Sequence, residues 1–340
     1  MKSTINFITF IFASMATLMS CTGKNAEASF MDVLNESTVL QATGRSEASP
    51  DGVSRPLSML CMEGNYVIAD DNSQQLLHVF SSDGAKVLHA LPKGHGENEA
   101  LGVHQMQQLD ENTFCIYDLW SRKLFKMAID SACHVSETKA MEDFMSLSMV
   151  GDTVFGICME TDCRYKLHDL RNDSVSRFGS YQDYGLSPHA GKILLQGNII
   201  TNPRTRRFAF FSFYGIVWQF GNMETHKLDT PVMVAMPEYK NESADKLTFD
   251  VNTHIGFLSV TGSGDYVFAL YSGKRIKDAL ADKGSVTVAN TIIQYDWNGN
   301  IIQAYSISDN TTQIAYDDDN DRLILLSEDI DVYYIWYAEV

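Results

Sequence analysis

Leu57-Ser58-Met59-Leu60-Cys61-Met62, Glu63-Gly64-Asn65 and Tyr66-Val67-Ile68-Ala69-Asp70 read in succession as a strand, a tight turn and a second strand. Leu76 to Phe80, a turn at Ser82-Asp83-Gly84, and Lys86 to Leu91 continue the pattern, giving a unit of four antiparallel strands. β-branched and aromatic side chains fill the strands, while Gly, Asn and Asp supply the backbone freedom and local hydrogen bonds that turns need.

Working outward, the same grammar recurs. A second unit has Gln105 to Leu109, Thr113 to Asp118 and Lys123 to Ile129; a third has Phe144 to Met149, Thr153 to Cys158, Arg164 to Asp169 and Ser174 to Phe178. A fourth has Asn198 to Thr201, Arg207 to Ser212 and Ile216 to Phe220. The fifth runs Phe257 to Thr261, Tyr266 to Tyr271, Thr291 to Asp296 and Ile301 to Ile307; the sixth runs Thr312 to Tyr316, Arg322 to Ser327 and Val332 to Tyr337, shortly before the sequence ends at Val340. A spacing of about 40 to 60 residues between successive second strands is that of propeller blades. The sixth unit lacks a fourth strand, and a spare strand-like run, Ser37 to Ala42, precedes the first. A closed ring uses the spare run to complete the last blade and removes two exposed edges at once. The expected fold is therefore all-β, a six-bladed β-propeller whose last blade is closed by an N-terminal strand. A pair of β-sandwiches would also show many short strands and is the rival.

The residues carry a resemblance as well. Tyr66-Val67-Ile68-Ala69-Asp70-Asp71, Leu77-His78-Val79-Phe80, Asp83-Gly84 and the loop Gly94-His95-Gly96-Glu97-Asn98-Glu99 resemble the TolB-like six-bladed propeller lipoproteins of diderm bacteria. That family commonly shows a Gly-x-Gly-Pro-Gly-Glu loop, in which Glu97 and Asn98 here replace Pro-Gly. Leu270-Tyr271-Ser272-Gly273-Lys274 resembles a segment late in the same family. The resemblance implies fold and location and no established activity.

At the start of the chain Lys2 precedes the uncharged apolar stretch Ile5 to Leu18, the layout of a secretory signal and too short to span a bilayer. Leu18-Met19-Ser20-Cys21 follows and resembles a bacterial lipobox, with Met19 its unusual member. The expected organisation is a lipoprotein signal peptide over 1–20, a tether over 21–30 and the propeller over 31–340, with Cys21 lipidated and the membrane reached through that anchor. Thr22 after Cys21 lacks the aspartate of inner-membrane retention, and the tether has only Glu27 as an acidic residue, so the expected location is the outer membrane, facing the periplasm rather than the cell surface. Of six cysteines, Cys61, Cys115 and Cys158 lie in strand-like runs and read as buried thiols, while Cys158 and Cys163 are spaced to bridge across a hairpin. The formal charge of −17, or −18 once residues 1–20 and their one charged group, Lys2, are removed, repels phosphate backbones; with no basic stripe, no nucleic acid is expected as partner.

In a propeller the connections between second and third strands and between consecutive blades share one face. Every long insertion falls there: Pro92 to His104, Ser180 to Gln196, Thr230 to Gly256 and Gly273 to Asn290. Long loops cost little stability and tend to carry function, so this face is where a ligand or a protein, peptide or glycan partner is expected. Its candidate residues are His95, Glu97, Tyr184, His189, Tyr239, Asn252, His254, Lys274 and Arg275. Arg275 to Asp282 reads as a short rim helix with Ile276 and Leu280 packed down. No nucleophile elbow, zinc-protease or phosphate-loop motif occurs, so no catalytic residue and no cofactor is assigned. The run Asp317-Asp318-Asp319-Asn320-Asp321 has calcium-loop spacing, yet Arg322 stands where that loop needs glycine, and an acidic turn is the preferred reading. Asp70, Asp71 and Asp118 end strands and either line a channel mouth, hold a metal as in propeller lactonases, or merely terminate the strands. Two functions compete: a membrane-anchored binding or scaffolding propeller, and a propeller hydrolase or lactonase using a metal or carboxylates in the central channel.

Overall fold

The computed structural model describes residues 27–340 except 42–43, 48–52, 82–86, 160–162, 182–183, 185, 244–245, 283–284 and 330–331. The signal stretch, Cys21 and the Ser82-Asp83-Gly84 turn lie outside the described residues. Helix α1 (residues 27–35) comes first, running from the stretch read as tether (21–30) into that read as propeller, followed by β1 (Thr38–Val39) and β2 (Gly44–Glu47). Blade 1 is β3 (Pro56–Met62), β4 (Asn65–Asp70), β5 (Gln75–Ser81) and β6 (Val87–Pro92). Blade 2 is β7 (Gln105–Gln108), β8 (Thr113–Asp118), β9 (Lys123–Ile129) and β10 (Cys133–Ala140); blade 3 is β11 (Phe144–Val150), β12 (Thr153–Cys158), β13 (Tyr165–Asp169) and β14 (Ser174–Phe178).

Helix α2 (Pro188–Leu194) leads into blade 4, made of β15 (Gly197–Thr201), β16 (Arg207–Ser212) and β17 (Ile216–Asn222), whose outer edge is shared by β18 (Lys227–Leu228) and β19 (Val232–Ala235). The hairpin β20 (Tyr239–Ser243) and β21 (Lys246–Phe249) stands apart from the blades. Blade 5 contains β22 (Phe257–Gly262), β23 (Tyr266–Tyr271), the rim helix α3 (Ile276–Ala281) and β24 (Ala289–Asp296). A single long strand, β25 (Ile301–Asp317), then serves two blades: its first part pairs with β24, and its second part pairs with β26 (Arg322–Asp329), which pairs with β27 (Val332–Glu339) to make blade 6.

The first strands of the six blades touch in a closed circuit, β3 to β7, β11, β15, β22, the second part of β25 and back to β3. The buried apolar side chains divide into six clusters, one at each seam between neighbouring blades. Strand alternation produces this. In β8, Phe114 and Ile116 enter the seam with blade 1, while Cys115 and Tyr117 enter the seam with blade 3. Because both faces of each middle strand are buried, these strands read as continuous apolar runs, and each blade holds its two neighbours. The sandwich rival is thereby excluded.

An N-terminal strand does close the last blade, but it is not the run Ser37 to Ala42. Gly44–Glu47 pairs antiparallel with Tyr334–Tyr337, whereas Thr38–Val39 pairs parallel with Tyr305–Ser306 on the outside of blade 5. Leu40 is buried in the seam between blades 5 and 6, and its N–H donates to Ser306; that side chain holds the run on blade 5 and leaves the next segment to reach blade 6. The rim helix also differs from its expectation. Ala279 is the buried residue and Leu280 is 62% exposed, so the helix rests on Ile276 and the small Ala279 three residues on.

Candidate functional site

The long insertions pack into two structures on one face. Over blades 4 and 5 stands a cap. Tyr214, in the loop between β16 and β17, bridges to Ile255 and stacks its ring on Phe249 of the hairpin at 4.1 Å. His254 bridges to Arg275, and its Nδ1 lies 3.0 Å from the Gly273 carbonyl. The Lys277 ammonium donates to Asn252 Oδ1 at 2.9 Å, and the Asn252 N–H and amide both donate to Asp250. Tyr239 donates to the Tyr184 carbonyl at 3.3 Å, and α2, which carries the exposed His189, packs on β21. Lys274 pairs with Asp282 at 3.5 Å.

The other structure is the loop between blades 1 and 2, where His95 and Glu97 are exposed. Glu99 folds back beneath it and accepts the Gly96 N–H at 2.8 Å, while Lys123 donates to the carbonyls of Gly96, Glu97 and Glu99. A Cβ on Gly94 would lie 2.1 Å from the Glu99 carboxylate, so a larger residue there would push that carboxylate out of its place. The Gly-rich loop is thus a folded unit around an internal acid.

Thus seven of the nine candidate residues share the cap and two sit across the face from it. None lines the cavity that opens between the two structures. That cavity, about 320 Å³, is the mouth of the central channel. Its polar lining is neutral, with Gln105, Asn198, Ser259, Thr312 and Gln313 on the first strands of the blades, and Phe213, Leu258 and Val286 supply apolar wall. The same three apolar residues border a second cavity of about 300 Å³ beneath the cap, reaching Tyr214, Ile255 and Ile276. His104 reaches the channel mouth from the opposite side.

Several of these amides and hydroxyls also stitch the blades together. Gln105 Oε1 accepts the Leu147 N–H at 2.7 Å and its amide donates to the Ile199 carbonyl at 3.1 Å; the Ser259 hydroxyl accepts the Ile314 N–H at 3.2 Å. Deeper in the channel, Gln107 Oε1 accepts from the Met149 N–H and the Ser148 hydroxyl, and its amide donates to the Met149 carbonyl. The first strands of neighbouring blades diverge too far for a ladder, and glutamine side chains span the gap.

The strand-ending aspartates Asp70 and Asp118 are not among the residues that line the channel mouth. Asp70 is buried and accepts the N–H groups of Ser54, Arg55 and Asn72. Asp118 is buried and accepts those of Leu101, Trp120 and Ser121 with the Ser121 hydroxyl. Each carboxylate clamps the segment entering a blade to the turn leaving that blade's second strand. Asp317, 5% exposed, accepts from Arg322 Nε and the Asn320 amide at 2.9 Å each, the expected acidic turn. Among the described residues no three His, Cys, Asp or Glu side chains gather in a way that could hold a metal, and no helix is long and apolar enough to cross a membrane. Cys158 and Cys163 are both buried.

Similarity to known proteins agrees with this architecture. The chain is structurally similar to the WD40 domain of Neurospora crassa Pan2, with 8% identity, a TM-score of 0.50 and coverage of 88% of this chain and 97% of that one; at that identity the likeness concerns the fold alone. No curated protein matches the chain in sequence. Residues 33–319 match the family described as TolB-like 6-blade propeller-like, and the chain belongs to that family.

Proposed function

We propose that this protein is a membrane-anchored binding propeller of the cell envelope, which holds its ligand at the long-loop mouth of the central channel. The supporting observation is the lining of that mouth: neutral amides and hydroxyls on rigid strands beside an apolar wall, beneath a cap built from insertions of blades 3, 4 and 5. Such a site recognises an uncharged polar molecule, or an uncharged part of a larger partner, and has no carboxylate in its lining to act as acid or base. The hydrolase reading loses its best residues, since Asp70 and Asp118 are occupied by backbone N–H groups.

The test is competition between the two channel mouths. Soluble ligands from envelope extracts, detected by native mass spectrometry, are expected to bind the wild type and an Arg204→Glu variant, Arg204 lining the cavity of about 440 Å³ at the short-turn end of the channel, and to be lost from Leu258→Trp, which fills the long-loop mouth. The reverse pattern overturns the site. Anchoring rests on Ile5 to Leu18 and Leu18-Met19-Ser20-Cys21. Labelled palmitate is expected to enter the wild type and not Cys21→Ser, and outer-membrane fractionation with protease shielding tests the periplasm-facing location.

A further inference from the structure

The chain has four tryptophans, at 120, 218, 297 and 336. Three are buried in blade seams; Trp120 is 69% exposed. It stands on the long-loop face, in the turn after β8, and is held there firmly: the Asp118 carboxylate accepts its N–H at 3.0 Å. Its ring meets that of His104 edge-on, with centroids 5.3 Å apart, and His104 is the residue that reaches the channel mouth from this side. Buried Gly102 allows a third group to converge. The Trp120 ring, the His104 ring and the Asp71 carboxylate all come within 4 Å of the point that a Cβ on Gly102 would occupy. Asp71 is itself flanked by Arg55, at 3.4 Å, and Lys93, at 3.5 Å.

An exposed indole, held by its backbone and bordered by a carboxylate, a guanidinium and an ammonium, combines a flat apolar face with a fringe of hydroxyl-binding donors and acceptors. We propose that Trp120 is the stacking platform of a saccharide subsite, which binds a neutral sugar ring at the rim of the channel with Asp71 and Arg55 taking its hydroxyls. The apolar face of a pyranose carries C–H groups that suit the electron-rich indole, while its equatorial hydroxyls need neighbouring acceptors and donors in the ring plane. Other ligands of aromatic platforms fit less well. A quaternary ammonium wants a cage of rings and is repelled by Arg55 and Lys93. A nucleotide faces a chain of formal charge −17. From Trp120 the neutral amides of the channel mouth continue inward past His104, so a second sugar unit meets Gln105 and Gln313.

This inference rests on the binding reading above but commits to a ligand class, and the two fail separately. Because the other three tryptophans are buried, quenching by acrylamide reports on Trp120. A panel of neutral di- and trisaccharides of glucose, galactose, mannose and N-acetylglucosamine is titrated against the wild type, with quenching and calorimetry as readouts. At least one is expected to shield Trp120 and shift its emission to the blue. Trp120→Ala is expected to weaken that sugar by roughly tenfold or more, Asp71→Asn by a smaller factor, and Trp120→Tyr to retain part of the affinity. No protection by any sugar overturns the inference, as does equal binding by Trp120→Ala, or protection by unglycosylated peptides alone. Sugar binding lost in Trp120→Ala but kept in Leu258→Trp upholds the subsite and overturns the channel mouth as the main site.

Discussion

The carboxylate of Asp118 accepts the backbone N–H of Leu101 at 2.7 Å, tying the end of the second strand of blade 2 to the connection that enters the same blade 17 residues earlier. Asp70 does the same in blade 1, where Ser54 donates at 2.8 Å. The device ties two segments of the long-loop face into one piece without any secondary structure.

Replacing Asp118 by alanine strands three backbone donors and a hydroxyl in a buried site. A loss of about 3 kcal/mol in unfolding free energy is expected, measured by urea denaturation. Trp120 should at the same time become more mobile, seen as lower fluorescence anisotropy in the folded protein.

His104 is held below its ordinary pKa of 6.5 by burial, with Asp118 and Asp71 opposing the shift. Its Nδ1 accepts the Leu119 N–H at 3.1 Å, which requires that nitrogen unprotonated. A depressed histidine lends stability above its unfolded pKa and loses it as pH falls through the lower folded value. Trp120 emission is therefore expected to hold steady above about pH 7 and to drop on acidification, when a cationic imidazole forms against the indole. In His104→Gln the profile should be flat over this range.

Burial pushes the thiols of Cys61 and Cys115 up to about 12, and that of Cys133 to about 11. Groups raised in the folded state contribute fully below their unfolded pKa and lose that contribution as pH rises through the folded value. Resistance to urea should thus decline at alkaline pH above about 9, and a thiol reagent at neutral pH should find these three cysteines only after unfolding.

Phe30 of α1 is 1% exposed and packs between Trp218 of blade 4, with centroids at 5.5 Å, and Tyr271 of blade 5, at 5.3 Å. Phe30→Ala should cost about 4 kcal/mol, read from the shift in urea midpoint. Gln107→Leu should cost about 2 kcal/mol, because the Met149 N–H and Ser148 hydroxyl lose their shared acceptor and leucine cannot span blades 2 and 3.

The blades were legible in the sequence because strand alternation and Gly-, Asn- and Asp-containing turns are local signals. Gly151 and Gly299, with φ of 59° and 88°, sit where the turns were read. What required the structure was the choice between the run Ser37 to Ala42 and the polar Gly44–Glu47 for closing blade 6, decided by Leu40 finding a seam. The hairpin β20–β21 between blades 4 and 5 and α1 were also missed, since neither carries a long apolar period. Among site residues, the long loops drew notice to His254 and Arg275, which assemble the cap. The channel mouth went unnamed because Gln105, Asn198 and Gln313 look like the solvent-facing alternates of ordinary strands. Trp120 had a usable signal, a large aromatic directly after a strand-ending Asp-Leu, but a lone tryptophan in a turn does not reveal its exposure.

The pairing of Gly44–Glu47 with Tyr334–Tyr337 also imposes a schedule on folding. The closing strand is made well before its partner, so the ring cannot shut until all six blades between them have been made. Until then the outer edge of β27 and the N-terminal segment both lack partners, and the contact between them is about as distant in sequence as this chain allows, which makes closure slow. Folding of this protein should therefore end in a late, ring-closing step, with the unsealed disc as the species most exposed to aggregation.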